Sequence, residues 1–353
     1  MLVSEDIDAT VLGLHNLALA AAGRLSGAVL SEVRWLVADG RLAEAAEVFL
    51  AGAADEGVSI SPSEVALLGS LVSVDEVGPA TPLVVRNAGS AAREFLALDP
   101  ELVTDGAAVP VLLDLTADPA TLEPADEVAV AAVKDVGGAY GLWRSWRLRD
   151  PAEPYGEPVP VFVLKCVDDL SAIAGGEVLQ SALSDEGVGD AEVEALGPGS
   201  QPQAYHREAL GRSALLWAAK PLRPVTVARV FDRFDPRTGP AFDVDHPLLA
   251  DSDQPARLLD YLRSCPVMLT TTQRDADLFD QSLGLVVPQT FTTDGTFVWT
   301  GAIPYYAENY GIAPDPRLMD HVRASDYRVP PVDDVDVHRA VAKLMTPPPI
   351  ESA

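Results

Sequence analysis

The sequence predicts an α+β protein, with an N-terminal helical layer followed by two mixed sheet-and-helix segments. Three observations carry this. Apolar residues recur at helical spacing as far as about Val72. Short β-branched runs broken by Asp, Gly and Pro replace them from Pro82 onward. Beyond Pro160, apolar strands alternate with capped amphipathic helices. A chain of 353 residues with 48% hydrophobic content can bury more than one core. The expected organisation is a helical region over 1–78, a β-rich segment over 79–150, an α+β domain over 151–330 and a tail over 331–353.

The first helix is entered through Ser4, with Glu5, Asp6 and Asp8 in its first turn, where carboxylates favour the helix dipole. Leu12, Leu14, Leu17, Leu19 and Leu25 supply its apolar residues, and Val33, Leu36 and Val37 those of the next helix. Helices restart at Leu42 and Pro62. Gly40 and Gly57 close the helices before those points, and Ser61-Pro62-Ser63-Glu64 combines an N-cap with proline at the first helical position. From Pro82 the runs PLVVRN, VPVLLDLT, EVAVAAVKDV and YGLWRSWRL read as strands. In the last of these, Leu142, Trp146 and Leu148 alternate imperfectly with Arg144, Arg147 and Arg149. A half-buried strand with its arginines outside, paired with neighbouring carboxylates, is expected.

The stretch Asp150 to Pro160, DPAEPYGEPVP, reads as a linker and a domain boundary, because its prolines donate nothing to a ladder. After it come a strand (PVFVLKCV), a helix from Asp168 or Asp169 to about Leu183, a strand (EVEAL), a helix from Ala204 to Leu210, and strands in ALLWA and TVARVF. Ala172, Ile173, Val178, Leu179 and Leu183 form the expected buried stripe of the first of those helices. The pattern leaves strand direction open. Further on, Pro255 to Ser264 is amphipathic, with Leu258, Leu259 and Leu262 inward. Asp294-Gly295 between Phe291 and Phe297-Val-Trp299 is the strongest hairpin signal in the chain. Tyr305, Tyr306 and Tyr310 fall on a helix ended by Gly311, and Pro314-Asp315-Pro316 starts another. A short helix from His338 to Met345 precedes a frayed end.

With 25 Lys and Arg against 53 Asp and Glu, the formal charge is -28. Such a field repels phosphate backbones and anionic lipid, so neither nucleic acid nor a membrane is an expected partner. The expected partner is another protein, a basic one. Two cysteines, Cys166 and Cys265, build no disulfide framework, and Cys166 sits in an apolar run that should raise its pKa and leave it inert. The acidic N-terminus lacks the basic start of a signal peptide, and no apolar run reaches the roughly 18 residues of a membrane span. A cytoplasmic protein is expected.

No catalytic residue, metal-ligand set or cofactor loop stands out, and no cofactor is expected. Asp232, Asp235, Asp243, Asp245 and His246 crowd one loop, and oxygen-rich loops can hold Mg²⁺ or Ca²⁺. The spacing departs from the EF-hand pattern, however, and Asp235-Pro-Arg-Thr-Gly239 is what a turn requires. The five histidines are dispersed, and most are expected at the surface or as caps. The glycine-rich runs AIAGGEV and ALGPGSQPQ lack the spacing of a phosphate cradle. The polar run Thr270 to Ser282 is the best loop for a binding site. Gln273, Arg274 and Asp275, with Asp235, His246, Trp299 and Tyr306, form the candidate binding rim.

The runs PVFVLKCVDDL, ALGRSALLWA, VARVFDRFDPRTGPAFDVDHP, VVPQTFTTDGTFVWTGAIPYY and GIAPDPRLMDHVRA, spread over about Val159 to Ala324, resemble uncharacterised actinobacterial proteins, some similar to neighbours of polymorphic-toxin systems. The resemblance covers roughly half the chain, brings no catalytic motif and implies immunity or accessory binding. The functional expectation is therefore a protein-binding module that neutralises a basic partner. The alternative is a small-ligand binder or enzyme with its site where the C-terminal segments join.

Overall fold

The computed structural model describes residues 2–72, 94–103, 109–117, 121–148 and 158–346, with side chains from residue 9. It is an α+β protein in two compact units, Met1–Pro221 and Leu222–Ala353.

The first unit opens with four helices, α1 (Leu2–Ala21), α2 (Gly27–Ala38), α3 (Leu42–Asp55) and α4 (Pro62–Gly69). Ser61 caps α4 by accepting from the Glu64 amide, as its sequence requires. Leu14, Leu17, Leu30, Val33, Val37, Phe49 and Leu68 interlock the four into one apolar core. The remaining elements are β1 (Phe95–Leu96), β2 (Leu113–Asp114), α5 (Pro124–Val133), β3 (Ala139–Arg147), β4 (Val159–Cys166), α6 (Asp169–Asp185), β5 (Glu192–Leu196), α7 (Ala204–Gly211) and β6 (Ala214–Ala218). The strands form one mixed sheet in the order β2-β6-β3-β4-β5, with β1 also on β3. β3 runs antiparallel to β4 and β6, whereas β4 and β5 are parallel and joined through α6. Asp168 caps α6 by accepting from the Ser171 amide at 2.8 Å. Gly175 of α6 lets the helix sit close to the sheet: a Cβ there would lie 2.6 Å from Val136 Cγ1 and 2.8 Å from Leu164 Cδ2.

Strand β5 ends the ordered path of the sheet, and α1 and α2 cover it. His15 of α1 and Arg34 of α2 bond to Ala195 and Glu194 of β5. Covering an edge in this way removes a template for strand addition.

Several expectations are corrected here. EVAVAAVKDV is no strand; its first seven residues belong to α5. Pro124 stands at the helix start, the Asp126 carboxylate accepts from the Glu123 amide, and Ala129 and Val133, four apart, bury one face. Arg144 does not point to solvent but is buried, and Val178 of α6 is exposed rather than in the stripe. His15, His206 and His338 are buried, although His206 caps α7 as expected, its Nδ1 accepting from the Gln203 amide at 3.0 Å. The expected boundary at 150–160 falls between β3 and β4, which pair along their whole length within one sheet, and the compact units divide instead at Pro221. Most of that linker, Arg149 and the run PLVVRN lie outside the described residues.

The second unit contains β7 (Thr226–Val227), β8 (Arg233–Asp235), β9 (Gly239–Ala241), α8 (Pro255–Ser264), β10 (Val267–Leu269), β11 (Arg274–Ala276), β12 (Leu285–Pro288), β13 (Phe291–Thr293), β14 (Phe297–Thr300), α9 (Ala302–Tyr310), α10 (Pro316–Ala324) and α11 (Asp334–Met345). A four-stranded sheet runs β10-β13-β14-β7, and β8-β9 and β11-β12 form two separate ribbons. Of TVARVF, only Thr226 and Val227 form a strand. The Asp294-Gly295 turn joins β13 to β14 as expected, with Asp294 Oδ1 accepting from the Thr296 and Phe297 amides. Gly295 has φ +86°, and a Cβ there would approach Asp336 Cγ to 2.9 Å, so glycine is required twice over. Leu258, Leu262, Trp299, Leu318 and Val322 make one apolar cluster, and Val287, Ala302 and Tyr306 anchor another. The helix expected from His338 to Met345 is present and starts four residues earlier: Asp333 caps α11, and Val335, Ala340 and Ala342 are buried.

Candidate functional site

In the second unit the chain from Asp277 to Leu285 is held from below by one carboxylate. Asp277 is fully buried and accepts from Tyr305 Oη and Tyr310 Oη, each at 2.7 Å, and from the amides of Phe279 at 2.7 Å and Asp280 at 3.1 Å. Burial pushes its pKa up, but these four donors outweigh burial and hold it below the usual carboxylate range. In return the hydrogen bond to Asp277 raises the Tyr310 phenol to about 12 and the Tyr305 phenol further. Both hydroxyls are thus fixed donors. The sequence signal for this was an Asx turn, Asp277-Leu-Phe-Asp280, inside a run singled out only for its polarity.

The turn lifts Phe279 toward solvent, where it is 50% exposed. Its ring stacks on Phe242 at 5.6 Å and an interplanar angle of 7°, and leans on Tyr310 at 4.7 Å. Phe242 in turn meets Tyr306 at 5.1 Å and His246 at 5.0 Å. His246 fastens the 242–248 loop: Asp232 Oδ2 lies 2.8 Å from Nδ1, and Nε2 donates to the Ala313 carbonyl at 2.9 Å. Asp232 Oδ2 also accepts from the Asp243 amide at 2.8 Å. Two loops far apart in sequence are thereby brought edge to edge. Between them they expose Val244, Leu248, Leu278, Phe279, Leu283 and Leu285. Asp243, Asp245 and Asp280 are exposed on the same two stretches of chain. Exposed apolar side chains on two loops that meet through Phe242 and Phe279 make this the strongest candidate for an interaction surface.

Of the expected rim, His246 and Tyr306 come together through Phe242, whereas the other residues go elsewhere. Trp299 is buried beneath α8, its Nε1 donating to the Leu262 carbonyl at 3.2 Å. Arg274 donates to the Val286 carbonyl across the β11-β12 ribbon, Asp275 accepts from Gln289 Nε2, and Gln273 donates its amide to Thr271 Oγ1. Asp235 is the turn residue its neighbours implied. It accepts from the Arg237 and Thr238 amides at 2.7 and 3.0 Å, and Gly239 has φ +82°. Among the described residues no group of three or more His, Cys, Asp or Glu is placed to hold a metal ion. Cys166 and Cys265 are buried thiols, each pushed up to about 12 by burial, with Asp168 and Asp294 adding to the shift.

In the first unit the arginines of β3 pair with carboxylates as expected, while the cluster around Glu194 had no sequence signal. Glu194 is buried between Arg34, whose Nη2 donates at 2.6 Å, and His206 Nε2 at 3.0 Å. Next to it on β5, Glu192 accepts from Arg147 Nη1 at 2.8 Å and Tyr205 Oη at 2.9 Å. Arg144 is clamped by Asp126 and Glu123. EVEAL reads as a strand, but its two carboxylates have their arginine partners 45 and 160 residues away.

Asp277→Ala is expected to destabilise the second unit, because it removes the shared acceptor of two phenols and two backbone amides. It should also bring the Tyr305 and Tyr310 titrations down toward that of a free phenol. Urea unfolding, together with tyrosinate absorbance against pH, checks both, and unchanged phenol titrations would refute the clamp.

Among the described residues no helix is long and apolar enough to cross a membrane. No protein-family model, curated protein or solved structure matches the chain.

Proposed function

We propose that the chain is a protein-binding module that takes a basic partner on the surface built by the 242–248 and 277–285 loops. The observation that carries this is the exposure of Phe279, Leu283, Leu285, Val244 and Leu248 on loops pinned by hydrogen bonds to Asp232 and Asp277, with Asp243, Asp245 and Asp280 alongside. A surface fixed before it binds loses little conformational entropy on association. The apolar side chains suit a plug of aliphatic or aromatic residues, and the carboxylates suit Lys and Arg around it. The charge of the whole chain, -28, supports the same partner by steering it in from a distance. An immunity or accessory protein, as the resemblance of the 159–324 runs implies, would work this way. Its carboxylates would speed capture of a basic toxin and its apolar centre would slow release.

The test compares the tagged full chain with Phe279→Ser/Leu285→Ser and with Asp243→Asn/Asp245→Asn/Asp280→Asn, by capture from native lysate at low and high salt. Binding is then measured with the purified partner. A basic protein held by the unaltered chain should lose at least tenfold in affinity with the serine pair, equivalent to about 1.4 kcal/mol. With the asparagine triple variant it should lose association rate and salt dependence. A partner retained equally by both variants, or an acidic one, overturns the proposal. So does light scattering that shows the patch covered by a second copy of the chain.

A further inference from the structure

Between α1, α2, α6 and β5 lies a small cavity walled by Ala18, Val37, Ile173 and Ala195, with His15 and Arg34 as its polar groups. Its volume, about 10 Å³, is the room needed by one water molecule. Arg34 spends Nη2 on Glu194, while its Nε and Nη1 are buried and have no protein partner. Donors left unmet in an apolar setting forfeit the hydrogen bonds they made to water in the unfolded chain. His15 is also one-sided. Its Nε2 lies 3.0 Å from the Ala195 carbonyl, which only accepts, so Nε2 carries the proton. That leaves Nδ1 as a bare acceptor.

We propose that this cavity holds one ordered water molecule that accepts a hydrogen bond from an unpartnered N–H of Arg34 and donates one to Nδ1 of His15. The bridge ties α1 and α2 to the edge strand β5. A water fits where a small anion does not. The charge of Arg34 is already met by Glu194, and the lone pair of Nδ1 repels an anion. The first unit is also strongly acidic, with 13 Lys and Arg against 34 Asp and Glu in residues 1–221. Burial, and then Arg34, lower the His15 pKa to about 4, which keeps Nδ1 unprotonated near neutral pH even with Glu194 and Asp169 nearby.

Crystals of the full chain, one native and one soaked in bromide, test the site directly. The expected result is a single spherical density about 2.7–3.2 Å from both an Arg34 nitrogen and His15 Nδ1, with no anomalous peak there after the soak. Nitrogen NMR of the His15 ring in solution should show the tautomer protonated at Nε2. An empty cavity, an anomalous bromide peak in it, or a ring protonated at Nδ1 would each overturn the proposal.

Discussion

Arg144→Met should destabilise the first unit by about 3–5 kcal/mol, a large part of what holds a domain folded. Arg144 lies on β3 and is 2% exposed. Its Nε donates to Asp126 Oδ1 at 3.1 Å, and its Nη2 donates to Asp126 Oδ2 at 2.9 Å and Glu123 Oε1 at 2.8 Å. Its Nη1 donates to the Ala97 carbonyl at 2.8 Å. The guanidinium also sits 5.6 Å from the Trp146 ring centre. Met fills much the same volume but strands the Asp126 carboxylate, which is 1% exposed, without its counter-charge. Burial already raises the Glu123 pKa against the pull of Arg144, so the variant should raise it further. The double variant Arg144→Met/Asp126→Leu removes both charges and should recover much of the loss, since a buried pair replaced by apolar groups is often neutral. Urea unfolding of the four members of this cycle decides it. A single-variant loss below about 1 kcal/mol would show that the pair is not buried as described.

Glu194→Gln should cost on the order of 3 kcal/mol, and the cost should depend on pH. Burial pushes the Glu194 pKa up, but Arg34 and His206 outweigh it and hold the carboxylate below its ordinary value of 4.5. A group whose folded pKa is depressed lends its stability in full above the unfolded value. That stability drains away as pH falls through the lower folded value. The gap in unfolding free energy between the unaltered chain and Glu194→Gln should thus be widest near neutral pH and narrow below about 4.5. Denaturation midpoints across that range give the answer. A gap that stayed constant would mean that Glu194 is not held ionised in the fold.

The elements that were legible share one property: their signals are contained within a few residues. Ser61 and Asp168 announced helix starts because an N-cap bonds to an amide two or three residues ahead. Asp294-Gly295, Gly311 and Asp235-to-Gly239 announced turns because a positive φ falls where glycine stands. The run EVAVAAVKDV was misread because alternating Val and Ala satisfies the strand period. Its burial at Ala129 and Val133 follows the helical one. Arg144 was placed outside because a charge in a half-alternating strand normally belongs in water. Asp126 and Glu123, just ahead of that run at the start of α5, are what let it go inside.

The candidate surface was half legible. The polar run Thr270 to Ser282 contained Phe279 and the buried Asp277, yet attention fell on Gln273, Arg274 and Asp275, which serve a ribbon and local turns. Trp299 and Tyr306, seven positions from one another, belong to separate apolar clusters. By itself the sequence determined the α+β class, most helix limits, the Asp294-Gly295 hairpin and the acidic charge. All of these follow from local hydrogen bonding, side-chain period or composition. Only the tertiary structure decided that Glu194 meets Arg34, that Asp277 meets Tyr305 and Tyr310, and that Phe242 meets Phe279. Each of those pairs spans 28 to 160 residues, and a carboxylate or an aromatic ring carries no mark of its partner until the packed core has brought the two together and excluded water.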